Sequence, residues 1–259
     1  MTRAAQNLLL ILLGAAILWI TLVSGEYVNY VRPGFRHPLV AAAAALLALG
    51  AAGLRREWRG AGGDDHEPHD HGHGGHGHGH GGHGHDHSRG PRVAWLLALP
   101  VLAIFVIAPP ALGSFTAARD AGRAAPPPAP PADGFRPLPA SAGPVDMTMG
   151  EFLGRAHEAQ TGDLSKLEGV PVRLTGFVTP SGDDERGWRL TRMKIACCAG
   201  DAVPFPVRVT GVPRPPADTW VRVVGVWEPP PPSKRHRTVV HTLRARSLQK
   251  IDKPKNPYE

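Results

Sequence analysis

A chain of 259 residues with a hydrophobic share of 42% and a formal net charge of +7 has the length of about two compact units. No segment joins a dense basic run to interleaved aromatics, which excludes nucleic acid as the partner, and the only two cysteines, Cys197 and Cys198, are neighbours, which excludes a disulfide scaffold. Apolar residues crowd into three early blocks while 55–92 and 116–144 carry almost no large apolar side chains, so a single soluble core is excluded too.

The resulting division predicts two transmembrane helices over 1–54, a His-rich disordered loop over 55–92, a third transmembrane helix over 93–115, a Pro-rich linker over 116–145 and a soluble β-domain over 146–259. The fold class expected is a membrane α-helical region followed by a small all-β, OB-like barrel with one preceding helix.

Residues Asn7 to Gly25 (NLLLILLGAAILWITLVSG) are uncharged and flanked by Arg3 and Glu26. Their length suits a helix crossing the hydrocarbon layer. A cleavable signal peptide is the alternative, but the run is long, no A-x-A pattern follows it, and Tyr27 and Tyr30 fit an interfacial belt. The second block, His37 to Leu54, is Ala-rich and ends at Arg55 and Arg56, so it inserts best against a neighbour that its small residues can approach closely. The third, Val93 to Ala108, contains Pro100 and runs into Pro109 and Pro110. In a bundle the carbonyl freed by Pro100 can be met by a neighbouring helix.

Arg3, Arg55, Arg56, Arg59, Arg89 and Arg92 fall on one side of these spans and Arg32, Arg36, Arg119 and Arg123 on the other. The excess places the N-terminus and the middle loop in the cytoplasm and the C-terminal half outside the cell membrane.

From Asp64 to His87 the chain reads DDHEPHDHGHGGHGHGHGGHGHDH. Its ten histidines are His66, His69, His71, His73, His76, His78, His80, His83, His85 and His87. Nothing apolar is available to bury and glycine raises the entropy cost of ordering, so this segment is expected to be disordered. What it offers is a dense supply of imidazoles for zinc, nickel or copper, with Asp64, Asp65, Glu67, Asp70 and Asp86 as auxiliary oxygen donors. A flexible strand of that kind suits capture or buffering of ions rather than catalysis.

The linker, rich in proline from Ala124 to Pro144, is expected to extend as polyproline II and act as a spacer. Thr148, with Glu151 three residues on, forms a capping-box pattern ahead of a short helix that Gly162 and Asp163 end. Met149, Phe152, Leu153 and Ala156 share one face of it, and His157 is expected to face solvent. Five runs then have strand character: Val170–Val178, Trp188–Ile195, Val203–Val209, Trp220–Trp227 and Thr238–Leu248. In the first, Val172, Leu174 and Val178 share a face, with Gly176 at the bend a closed barrel requires.

Cys197 and Cys198 fall where the second strand ends and a turn begins. Adjacent Cα atoms lie about 3.8 Å apart, shorter than the usual span of about 4.4–6.8 Å, so a disulfide between them would be strained. In a turn, two thiolates with Asp201 nearby could instead converge on one soft ion. His236 and His241 are further candidate ligands. Metal binding, thiol redox chemistry and apolar packing all remain open for the pair. No Ser-His-Asp arrangement, phosphate loop or H-E-x-x-H motif is present, and no enzyme is expected.

The spans, the run Pro109-Pro110-Ala-Leu-Gly-Ser114, the phrase Gly176-Phe177-Val178, the element Cys197-Cys198-Ala-Gly-Asp201-Ala202, the phrase from Trp220 to Gly225 and the ending Pro254-Lys-Asn-Pro257-Tyr258 together resemble the YcgQ-like bacterial family of permease subunits. The resemblance implies the small partner of a larger multi-spanning membrane permease, a link to zinc or another divalent transition metal, and a role for Cys197, Cys198 and Asp201 in it. The function expected is therefore an accessory permease subunit concerned with transition-metal handling, against the alternative of a membrane-tethered thiol redox or protein-binding module.

Overall fold

The computed structural model describes residues 3–60, 110–120, 128, 130–138, 143–180, 187–234 and 239–259. The ten histidines, the third apolar block Val93–Ala108 and His236 lie outside the described residues. The chain divides into two units: one holds the N-terminal helices, the other comprises Val28–Pro33 together with Pro110–Glu259.

In the first unit α1 (Arg3–Leu18) runs on through a π-helical turn, Trp19–Val23, and α2 covers Arg36–Gly60. Both stretches are long and apolar enough to cross a membrane. They pack through small residues. A Cβ on Gly14 would lie 2.9 Å from the Ala43 carbonyl oxygen, and one on Gly50 would lie 2.7 Å from that of Asn7. Contact this close gains van der Waals energy that bulkier side chains would prevent. The outer faces stay bare: Leu8, Leu12, Trp19, Leu22 and Leu49 are exposed.

The second unit is built on a barrel of five strands, β2 (Pro171–Thr179), β3 (Trp188–Lys194), β4 (Val203–Thr210), β5 (Trp220–Glu228) and β6 (Thr242–Lys250), with a two-residue β1 (Val145–Asp146) parallel to β2. The order β2-β3-β4-β6-β5 closes through an additional β2–β5 pairing. All ladders around it are antiparallel except β4–β6. This is an OB-like barrel. Closure needs β2 to pass from one neighbour to the other. It pairs with β5 up to Phe177 and with β3 from Phe177 onward. Gly176 stands at that transfer, where a Cβ would meet the Thr191 carbonyl oxygen at 2.6 Å, so the bend predicted there is a place only glycine fits.

Alternate residues of each strand fill the interior. Val172, Leu174, Leu190, Val207, Val221, Val223 and Leu243 are fully buried, with Trp188 and Trp227 beside them. Burial of side chains this size contributes about 1.5–3 kcal/mol each. The helix α4 (Met149–Thr161) packs on the barrel and buries Met149, Phe152, Leu153, Ala156 and Ala159 in the same core. Thr148 caps α4 by accepting the Glu151 backbone N–H at 3.1 Å. The reciprocal half of the predicted box is absent, because the Glu151 carboxylate accepts from the Arg155 guanidinium at 2.9 Å instead. The first two helical N–H groups, those of Met149 and Gly150, are met from the far end of the chain, where the Glu259 carboxylate accepts them at 2.6 and 2.9 Å.

Two segments between Pro110 and β1 carry contacts in this unit. The helix α3 (Ser114–Asp120) is held by Asp218, whose carboxylate accepts from both the N–H and the hydroxyl of Ser114 at 2.7 Å. Phe135 lies under the Arg155 guanidinium, 4.8 Å from ring centre to carbon.

Two segments far apart in sequence lock onto the β3 side. The chain end runs parallel to β3 through a Met193–Tyr258 bridge, and the buried Tyr258 hydroxyl donates to the Asn29 carbonyl at 2.8 Å while accepting the Leu112 N–H at 3.0 Å. Tyr258→Phe removes both bonds and leaves two backbone groups unsatisfied. A loss of about 1–3 kcal/mol is expected, read as a lower chemical-unfolding midpoint of the detergent-purified protein by tryptophan fluorescence.

Candidate metal centre

The connection from β3 to β4 spans residues 195–202, because Lys194 and Val203 are the last pair of that ladder. Chain direction must reverse within it, and the turn is organised by one carboxylate. Asp201 accepts the N–H of Ala196 at 2.8 Å on one oxygen, and those of Cys197 at 2.8 Å and Cys198 at 3.4 Å on the other. A single turn of 3-10 helix, Ala199–Asp201, completes the reversal, with the Asp201 N–H donating to the Cys198 carbonyl at 3.1 Å.

This wrapping decides where the thiols go. In an extended strand two adjacent side chains would diverge; here both sulfur atoms and a carboxylate oxygen of Asp201 lie within 4.8 Å of one another. Neither cysteine is in a disulfide; Cys197 is exposed and Cys198 half-buried. The Cys197 thiol donates to the Asp201 carboxylate, and this bond, followed by a contact with Cys198, pushes the thiol up to about 12. The same bond, with the three backbone N–H groups, holds Asp201 down at about 2. Without a cation, the trio is therefore one thiol held by one carboxylate, with a second thiol alongside.

The turn has a backing strand. Tyr30, Val31 and Arg32, between α1 and α2, run antiparallel to it: the Ala199 N–H donates to the Tyr30 carbonyl at 2.7 Å, the Arg32 N–H donates to the Cys197 carbonyl at 3.0 Å, and Val31 bridges Cys198. The chain end closes the other side, where Ile195 and Glu259 pair backbone to backbone at 3.1 Å.

Of the residues expected to bind metal, Cys197, Cys198 and Asp201 converge. His241 does not join them. Its carbonyl accepts from Arg208, five residues along β4 from Val203 (203 to 208), a separation of roughly 17 Å along an extended strand. His241 is buried beside Trp227, 6.2 Å between ring centres. Its Nδ1 has no hydrogen-bond partner among the described residues. Burial first, then the nearby His157, depress its pKa to about 4. It is a core histidine rather than a ligand, and its companion candidate His236 lies outside the described residues. His157 is half-buried on α4 rather than fully in solvent.

Sequence reading missed the contribution of Tyr30–Arg32 and of Glu259. The only signal for the chain end was its resemblance to a family ending; nothing marked the segment between the helices beyond its tyrosines.

Residues 8–121 match the DUF1980 N-terminal domain, and residues 147–259 match the DUF1980 C-terminal domain. No curated protein and no solved structure matches the chain.

Proposed function

Because this chain carries both DUF1980 domains, we propose that it is a membrane-embedded accessory subunit of a larger permease, handling a divalent transition metal, zinc foremost. The observation that carries this reading is the convergence of two sulfur atoms and a carboxylate oxygen within 4.8 Å. Around a tetrahedral zinc with Zn–S of about 2.3 Å, two sulfurs stand about 3.8 Å apart, so the trio needs only small side-chain rotations to close on an ion. A divalent ion reverses the local proton balance: it displaces the Cys197 proton, as a coordinating thiol is deprotonated outright. Losing that S–H also frees a lone pair on Asp201, three of whose acceptor positions are taken by backbone N–H groups.

Three donors leave a fourth position of the tetrahedron open. An open position suits an ion that is received and passed on more than one locked in place. The lipid-facing reading of α1 and α2 rests on their length and their bare apolar faces, and the arginine distribution supports a cytoplasmic histidine segment and an extracytoplasmic barrel. Ion capture by the histidines on one side and by the thiols on the other then flanks a conduction path that the partner permease supplies. The spans themselves carry no intramembrane charge for one.

The test is zinc uptake by the full chain in detergent, with residues 64–87 deleted to remove the histidine background and a chromophoric chelator as competitor. One zinc per chain is expected, with Cys197→Ser and Cys198→Ser each weakening it by more than about 100-fold. Uptake unchanged in the double serine variant sinks the proposal.

A further inference from the structure

Resting on the metal reading of the Cys turn, we propose that ion binding at Cys197 and Cys198 and docking of the interhelical segment Val28–Pro33 are one linked equilibrium, so that the segment joining α1 to α2 reports whether the turn holds an ion. The linkage comes from which peptide groups the segment uses. Arg32 bonds the carbonyl of Cys197 itself, Tyr30 accepts from Ala199, the residue directly after Cys198, and Val31 bridges Cys198. The two proposed ligands are thus bracketed by the contacts that hold the segment down.

An ion gripped by both sulfurs fixes residues 197 and 198, and so orders the carbonyl and the N–H that the segment needs. Conversely, a docked segment fixes the two residues before the ion arrives, and the ion then pays less ordering entropy. Coupling of this kind is reciprocal by thermodynamic necessity. The segment also has an anchor away from the turn: the Asn29 carbonyl accepts from the Tyr258 hydroxyl, and its side-chain oxygen accepts from the Lys253 ammonium at 3.3 Å. Release of Tyr30–Arg32 would therefore leave the segment tethered beside the turn, at high effective concentration for redocking.

The experiment uses the full chain in detergent with zinc alone as probe and amide hydrogen exchange as readout, zinc occupancy being measured on the same samples. Exchange at Arg32 and Ala199 is expected to slow several-fold on zinc saturation, and the slowing to vanish in the Cys197→Ser/Cys198→Ser double variant. By reciprocity Arg32→Pro, which lacks the N–H given to Cys197, should weaken zinc by roughly tenfold, within the usual coupling range of about 5–150-fold. Arg32→Ala keeps that N–H and should stay within about twofold. Zinc bound with exchange unchanged, or Arg32→Pro binding as tightly as Arg32→Ala, overturns the coupling and leaves the metal reading standing. A chain that takes up no zinc at the cysteines overturns both.

Discussion

Asp201→Asn should raise the rate at which iodoacetamide labels Cys197 in the metal-free protein at pH 8 by more than about tenfold. The nucleophile is the thiolate, and the wild-type thiol is held up at about 12 chiefly by its bond to the Asp201 carboxylate. A neutral amide removes the negative charge that makes thiolate unfavourable there, so the pKa falls toward the ordinary thiol range and the reactive fraction grows. The shape of the pH profile is the sharper readout. Wild-type labelling should still be climbing steeply above pH 10, whereas the variant should bend over near pH 9 and level off above about pH 10. A wild-type profile already flat at pH 9 would show that the carboxylate does not hold the thiol. Zinc should suppress labelling in the wild type.

The second large effect is acid destabilisation centred on His241. Its folded pKa lies near 4, below the ordinary 6.5, because burial opposes the charged ring and the neighbouring His157 adds to that. The sign follows from proton counting: between those values the unfolded chain binds the proton and the folded chain does not, so unfolding is favoured as pH falls. Stability is fully present above about pH 6.5 and decays through the window down to about pH 4, by about 3 kcal/mol in total. Unfolding midpoints of the detergent-purified protein across that range should fall accordingly. His241→Gln cannot charge, and it should flatten this part of the profile even if it lowers stability at pH 7. A variant profile as steep as the wild type would place the effect elsewhere.

Local chemistry was legible in the sequence, distant chemistry was not. The cap of α4 and its buried face follow from Thr148 and from the spacing of Met149, Phe152, Leu153 and Ala156, all settled within one turn of helix. Four of the five barrel strands appear where alternation placed them, shifted by a residue at their ends. The last was expected from Thr238 but begins at Thr242, because its start is set by where Arg208 of β4 offers a parallel partner, which no pattern within the strand encodes. The turn at Cys197 was visible for a similar local reason: it joins two strands adjacent in sequence. Its backing by Tyr30–Arg32 and the capping of α4 by Glu259 are pairings across long stretches of chain, and a sequence reveals such contacts only through chance resemblance.

Strand order also fixes a timetable for the nascent chain. The β3–β4 hairpin carrying the thiols can form as soon as it leaves the ribosome, but the barrel cannot shut until β6 arrives to pair with both β4 and β5, some 52 residues beyond Cys198 (250 minus 198). At translation speeds of about 5–20 residues per second that is an interval of roughly 3–10 s, in which the hairpin's sulfur atoms precede the wall that will enclose its apolar side. What stands open in that interval is the hairpin's apolar face and not its thiol, since Cys197 stays exposed in the finished fold.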